Sequence, residues 1–268
     1  MEQVADILRH RVERLQQQSD RDSGQAPQTG NKKKTGYNAG SCQCNSYGEV
    51  HDVIRNCHMH VSPFEIKLCN TIKDKWQALL RQSGVYERFW DANFDHIEQR
   101  GVPDVVSEQF WQVRKYTTNL KKHLSNGDGL ILKGPVGTMK TTLAVAVLQE
   151  ALCQGYTGRK ILMQSLLDEI FSRKAYRLAD WLKFEQDLRE CRLLVVDELG
   201  KHQTEGWVMT KFEAIVSERH ERRRSTIFVT NLTAQEMKGI YSEGIIDRFN
   251  HVNQIINFTG KSQRVAGD

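Results

Sequence analysis

The segment GPVGTMKTTLA, residues 134–144, sits between an apolar run, Leu130-Ile131-Leu132, and an apolar helical stretch from Leu143 to Leu152. Strand, glycine loop, helix: few local patterns limit a fold so tightly. Such a loop turns its backbone N–H groups inward, and the helix behind it adds the positive end of its dipole, so the pair suits a phosphate. Gly134, Pro135, Val136, Gly137, Thr138, Met139, Lys140, Thr141 and Thr142 form the candidate cradle. Lys140 is placed for terminal phosphates and the Thr141 hydroxyl for Mg²⁺. The pattern G-x-x-x-x-G-K-[ST] puts glycine before the lysine, where this chain has Met139. Holding a non-glycine residue at positive φ costs about 1–2 kcal/mol. The Met side chain must also find room beside the phosphates. The expectation is a nucleotide loop with turnover reduced by Met139. A glycine turn without a ligand is the plain alternative.

Downstream of the loop the chain alternates. Apolar strands are expected at 130–133, 160–164, 192–196, 226–230 and 254–258. Helical stretches are expected at about 140–154, 165–190, 206–222 and 233–241. Short Leu/Ile/Val-rich strands alternating with helices predict an α/β fold with a central parallel sheet covered on both faces. Upstream, helical periods run over 61–82 and 103–124, with an aromatic, irregular stretch at 83–97 between them.

A second signature speaks against the ligand-free turn. CRLLVVDELG, residues 191–200, is a buried strand ending in two acids. Asp197 at its tip would orient water on Mg²⁺, and Glu198 would polarise the attacking water. Phosphoryl transfer to water needs this positioning. STIFVTNLT, residues 225–233, ends a further strand in Asn231, which can reach a γ-phosphate or its water; a helix start capped by Thr233 is the bland reading. Arg248 in EGIIDRFN and Arg264 in GKSQR are candidates for charge stabilisation in the transition state, one in trans and one in cis. Either could equally be a surface ion pair.

The N-terminal third reads differently. Val4, Ile7, Leu8, Val12 and Leu15 make one stripe of a helix over residues 1–18, a candidate docking helix for a partner protein. Residues 19–41 are polar and glycine-rich, as in a flexible linker, with a short basic run at Lys32 to Lys34. Then come Cys42-x-Cys44 and Cys57-His58-Met59-His60, two ligand pairs separated by a hairpin-sized spacer that contains Gly48. Zinc takes four such ligands in a tetrahedron. The candidate set is Cys42, Cys44, Cys57 and His60, with His58 as the alternative fourth ligand. Cys69, Cys153 and Cys191 fall in apolar patterns and read as core. The division expected is a docking and zinc module over 1–82 and an ATPase domain over 83–268.

The chain has 268 residues, net charge +5 and no run of 18 apolar residues, which predicts no membrane span. Its N-terminus lacks the apolar core of a secretory signal, so a cytoplasmic location is expected. The mild basic excess permits a polyanionic partner. The clearest basic run, Glu218 to Arg224, is interrupted by acids and can equally be a solvated helix end.

GPVGTMKTTLA, LLVVDELG, TIFVTNLT, IIDRF and GKSQR stand in the order of the DnaC/DnaI-type helicase loaders and the related IstB-type transposition helper ATPases, which are AAA+ proteins. The resemblance covers roughly residues 83–264, and SGVYERFWDANFDHI is similar to the family's entry segment against the adenine. It implies ATP and Mg²⁺ as cofactors, with Lys140 and Thr141 on phosphate and metal. Asp197 and Glu198 become the acidic pair, Asn231 the polar sensor, Arg248 a finger reaching a neighbouring copy and Arg264 the second sensor. The cysteine cluster resembles the small zinc module of some loaders, with altered spacing. The implied partners are a replicative helicase, or a transposase in the alternative, and DNA, single- or double-stranded, with single strands the expectation and no sequence preference. Homo-oligomers closing over the ATP site are implied as well. A small-molecule kinase would leave the motifs at 225–264 unexplained. A non-hydrolysing nucleotide module is the reading that gives Met139 most weight.

Overall fold

The computed structural model describes residues 70–172, 178–200 and 206–263. The docking helix, the linker, the cluster Cys42, Cys44, Cys57, His58 and His60, and also Cys69 and Arg264, lie outside the described residues.

Five strands make the sheet: β1 (Gly129–Lys133), β2 (Gly158–Leu162), β3 (Leu193–Leu199), β4 (Ser225–Thr230) and β5 (Asn253–Asn257). All pairings are parallel and the order is β2-β3-β4-β1-β5. The expected strands are all present. The second begins two residues earlier than its apolar pattern suggests, and Met163 already opens the next helix.

Alternate residues of each strand face opposite sides, and each side has its own core. Leu130, Leu132, Leu193, Val195, Ile227, Val229 and Ile256 join one buried cluster with α1 (Asn70–Gln82), α2 (Phe94–Arg100), α3 (Asp104–Thr118), α4 (Leu120–Asn126) and α5 (Lys140–Cys153). Trp76 and Leu80 of α1 belong to that cluster. Ile131, Leu194, Val196 and Phe228 join the other, with α6 (Met163–Ser172), α7 (Leu178–Glu190), α8 (Gly206–Glu221), α9 (Ala234–Ile240) and α10 (Glu243–Val252). Helix α5 is apolar nearly all round, as befits a helix buried between sheet and outer helices. Its one uncharged polar core residue, Gln149, is spent on the carbonyls of Phe89 (2.9 Å) and Trp90 (3.2 Å), tying the aromatic entry segment to the core.

The helix expected over 103–124 is two helices. It breaks at Asn119 (φ −108°, ψ 23°), whose side chain turns back on the Lys115 carbonyl at 3.4 Å; Asn competes with the helix for backbone partners. The basic run also needs correction. Arg219 is fully buried, not solvated. Its guanidinium donates to the carbonyls of Leu188 (2.6 Å), Cys191 (2.9 Å) and Ser225 (2.6 Å), and its Nε to the Thr226 hydroxyl (3.0 Å). It therefore locks α7, the turn that leads into β3, and β4 together and is not available to a polyanion. Arg222 pairs with Glu218 and, more distantly, Glu190. No helix among the described residues is long and apolar enough to cross a membrane.

Candidate functional site: a phosphate loop joined to an acidic strand end

Ligands of open parallel sheets sit beyond the carboxyl ends of the strands, at the point where the order reverses. Strand β1 has β4 on one side and β5 on the other, and the chain leaves β1 to build β2 three places away, beyond β4 and β3. The loop at 134–139 emerges at that point and runs straight into the N-terminus of α5.

Met139 adopts the left-handed conformation that the pattern reserves for glycine, with φ 63° and ψ 8°. Its side chain is half-buried and packs on the apolar cluster under the loop. That answers the question of where its bulk goes. Gly137 needs its lack of Cβ: its φ is 78°, and a Cβ would lie 2.0 Å from the Ser262 hydroxyl. The segment after β5 closes over the loop here, and the Gln263 N–H donates to the Gly137 carbonyl at 2.7 Å. Sequence patterns gave no sign of this contact, because it joins residues more than 120 positions apart.

Lys140 is buried and donates to the loop's own carbonyls, Gly134 (2.7 Å) and Pro135. Thr138 is fully buried and bonds the Pro135 carbonyl at 2.8 Å. The loop is thus held as a closed ring. Val136 at its crest is exposed.

Across the site, Asp197 is buried at the end of β3. Its Oδ1 accepts from the Thr141 hydroxyl and from the Glu198 N–H, each at 3.0 Å. Its Oδ2 faces the Lys160 ammonium at 3.0 Å. Glu198 then takes φ 57°, the β3–β4 register shifts between Val196 and Leu199, and the Glu198 side chain is exposed at the strand end. A non-glycine residue in this conformation is strained, and such strain clusters where a side chain has to be aimed. Asn231 follows β4, which lies between β1 and β3, and is exposed. The turn behind it is fixed by Thr230, whose hydroxyl bonds the Leu199 carbonyl and accepts from the Leu232 N–H at 3.0 Å. Thr233 caps α9 in a capping box with Glu236, so the bland reading of this stretch also holds.

The hydroxyl of Thr141 and the carboxylate of Asp197 are hard oxygen donors brought together beside an anion-binding helix end, a donor set that fits Mg²⁺. Arg248 lies on α10 and donates to the Gly244 carbonyl at 2.8 Å, an attachment to its own helix. Cys191 is a core thiol, as expected. Burial pushes it up, with nearby Arg219 partly opposing. Lys160 is the residue that sequence reading passed over. The available signal was a lysine on an inward position of a strand.

The family model described as IstB-like ATP binding protein matches residues 112–267. The chain belongs to this family. Proteins of the IstB-like family are thus the frame for its site, and curated relatives narrow the comparison. The replicative helicase loader DnaC of Escherichia coli strain K12 is 26% identical over 201 residues, 72% of this chain and 78% of that protein. The DnaC of Buchnera aphidicola subsp. Baizongia pistaciae is 26% identical over 194 residues, 71% of this chain and 76% of that protein. Among solved structures, a DnaC helicase loader superposes with TM-score 0.56 at 21% identity, covering 65% of this chain and 100% of that one. The replication initiator DnaA bound to AMPPCP and single-stranded DNA gives 0.51 at 18% identity, covering 60% and 48%. At these identities the structural likeness establishes the fold alone, an α/β domain on a central parallel sheet.

Proposed function

We propose that this protein is an ATP-hydrolysing AAA+ factor that loads a replicative helicase onto DNA. The observation that carries the reading is the join of loop and acidic strand end through Thr141 and Asp197, at the switch point of a β2-β3-β4-β1-β5 sheet. The kinship with DnaC helicase loaders over most of their length supports the choice of partner.

In this reading Lys140 leaves the carbonyls of its own loop to meet the terminal phosphates of ATP. Thr141 and Asp197 hold Mg²⁺, which when bound neutralises phosphate charge. Glu198, exposed at the strand end, takes a proton from the attacking water, and Asn231 orients that water. Charge on the transferring group is met by Arg248 from a neighbouring copy and by Arg264, so the competent form is an oligomer. Met139 lowers turnover: a methionine has a narrower left-handed well than glycine, so the loop yields less as phosphate passes. Cys42, Cys44, Cys57 and His60 hold zinc in a module over 1–82 that docks the helicase. DNA is held as single strands through phosphate contacts, so binding weakens steeply with salt.

The test is to mix the full chain with the replicative helicase of the same host in ATP, in ADP and without nucleotide, and to weigh the products by light scattering. The reading predicts a complex whose yield depends on nucleotide. No complex in any state contradicts it. A complex with a transposase instead would turn the reading to the transposition helper, which shares the ATPase core.

A further inference from the structure

We propose that Lys160 is a built-in counter-cation of Asp197, one that opposes magnesium at this carboxylate and so sets how tightly the nucleotide's metal is held. The inference rests on the ATP and magnesium reading of the site.

Lys160 lies on β2, the edge strand beside β3, two residues before the partner of Asp197 in the register. Its side chain runs along the same face of the sheet as Asp197, and the two side chains are only 1% and 3% exposed. The carboxylate is divided between two uses. Oδ1 serves the loop, through Thr141, and Oδ2 is held by the ammonium.

The lysine is itself fixed. Its backbone N–H donates to the Ser83 carbonyl at 2.7 Å. Gly84, at φ 76°, lies so close that a Cβ there would meet the Lys160 carbonyl at 2.2 Å. The rings of Tyr86 and Phe89 each stand 5.7 Å from the ammonium. The segment 83–89 thus clamps the lysine to the edge of the sheet and walls its charge with aromatic faces.

A buried ion pair is a weak stability device, since two apolar residues of like volume do as well or better. Its effect on a third charge is larger. A metal approaching Asp197 meets a carboxylate already matched by a positive charge a few ångströms away, at a site largely shielded from solvent. A single unit charge at such a range changes cation affinity by about tenfold or more. Lys160 therefore keeps metal retention loose and favours release of the spent nucleotide with its metal.

The test uses the full chain and Lys160→Met, which keeps the aliphatic stem and removes the charge. Each is saturated with ADP in EDTA-treated buffer and titrated with Mg²⁺, reading the melting temperature and the fluorescence of a labelled ADP. ADP without metal is expected to bind both alike. The Mg²⁺ midpoint is expected to fall about tenfold in Lys160→Met and to return to the parent value in Lys160→Arg. A purely structural lysine would lower the melting temperature by the same amount at every Mg²⁺ concentration and leave the midpoint in place; that result overturns the proposal. If Lys160→Met does not fold without metal, Lys160→Gln keeps an N–H donor toward Oδ2 and carries the same expectation. Failure of the parent to bind ADP at all would bring down the nucleotide reading instead, whereas ADP binding with an unmoved midpoint removes the role of Lys160 alone.

Discussion

The Thr141 hydroxyl donates to Asp197 Oδ1 at 3.0 Å across 56 positions of sequence. One bond thereby ties the helix that follows the phosphate loop to the strand that carries the acids. Because Asp197 lies at the carboxyl end of β3 and Thr141 in the first turn of α5, the bond exists only if sheet and helix pack in this register. Fold and chemistry are fixed by the same contact, and the following expectations start from it.

Glu198→Gln separates binding from turnover. The side chain is exposed at the strand end and makes no contribution to the buried core. ATP affinity should stay within about threefold of the parent, while hydrolysis should fall about 10²–10⁴-fold, the range for loss of a general base. Parallel nucleotide titration and steady-state phosphate release decide it. Equal turnover in both proteins would remove Glu198 from its role.

Met139→Gly relieves a left-handed methionine and also strips a side chain from the core cluster. The relief of about 1–2 kcal/mol is opposed by lost packing and by the looser unfolded chain, together of similar size. The melting temperature should therefore move little. The loop already has the required φ before nucleotide arrives, so affinity should change by less than about threefold, whereas hydrolysis should rise. Unchanged hydrolysis would mean that the departure from glycine is silent.

Arg248→Ala should bind ATP like the parent, since the guanidinium is engaged with Gly244 of its own helix. Hydrolysis should fall about 10³-fold or more, the scale of a lost arginine finger. A finger that acts on a neighbour predicts that mixing Arg248→Ala with Glu198→Gln restores measurable hydrolysis, each protein supplying what the other lacks. A mixture as inactive as its parts would place the arginine's action within one chain or nowhere.

His220 faces His251 at 3.1 Å at the opposite end of the sheet. Burial, then the neighbouring His251 and Arg248, hold His220 below the usual imidazole range, with Glu221 and Asp247 opposing. The unfolded chain then takes up a proton more readily than the folded one. Stability is full above the ordinary value of about 6.5 and is lost as pH falls through the lower, folded value. Melting temperatures between pH 7.5 and 5 should decline in the parent and decline less in His220→Gln. Parallel profiles would exclude this group as the cause.

Much of this was legible in the chain. The five strands and their parallel pairing follow from short Leu, Ile and Val runs, the first four each preceding a helix and the last closing the series. Asp197 and Thr141 could be paired because each sits at an element end of fixed geometry. What the pattern hid was non-local. The burial of Arg219 depends on carbonyls supplied by the end of α7, the turn after it and β4, and a string of arginines looks solvated until they are placed. Lys160 escaped notice for the same reason: its significance is the carboxylate it meets, on a strand 37 residues further on. Asn119 breaks a helix whose apolar period continues unbroken, because the competing bond comes from the side chain.

The most direct measurement is equilibrium titration of a fluorescent ATP analogue with Mg²⁺ into the full chain and into Lys140→Ala. The buried Lys140 at the neck of the loop should give the parent saturable binding, and its loss should weaken affinity by about tenfold or more with the fold intact by circular dichroism. Absence of binding by the parent, or equal binding by both proteins, would contradict a nucleotide site at this loop.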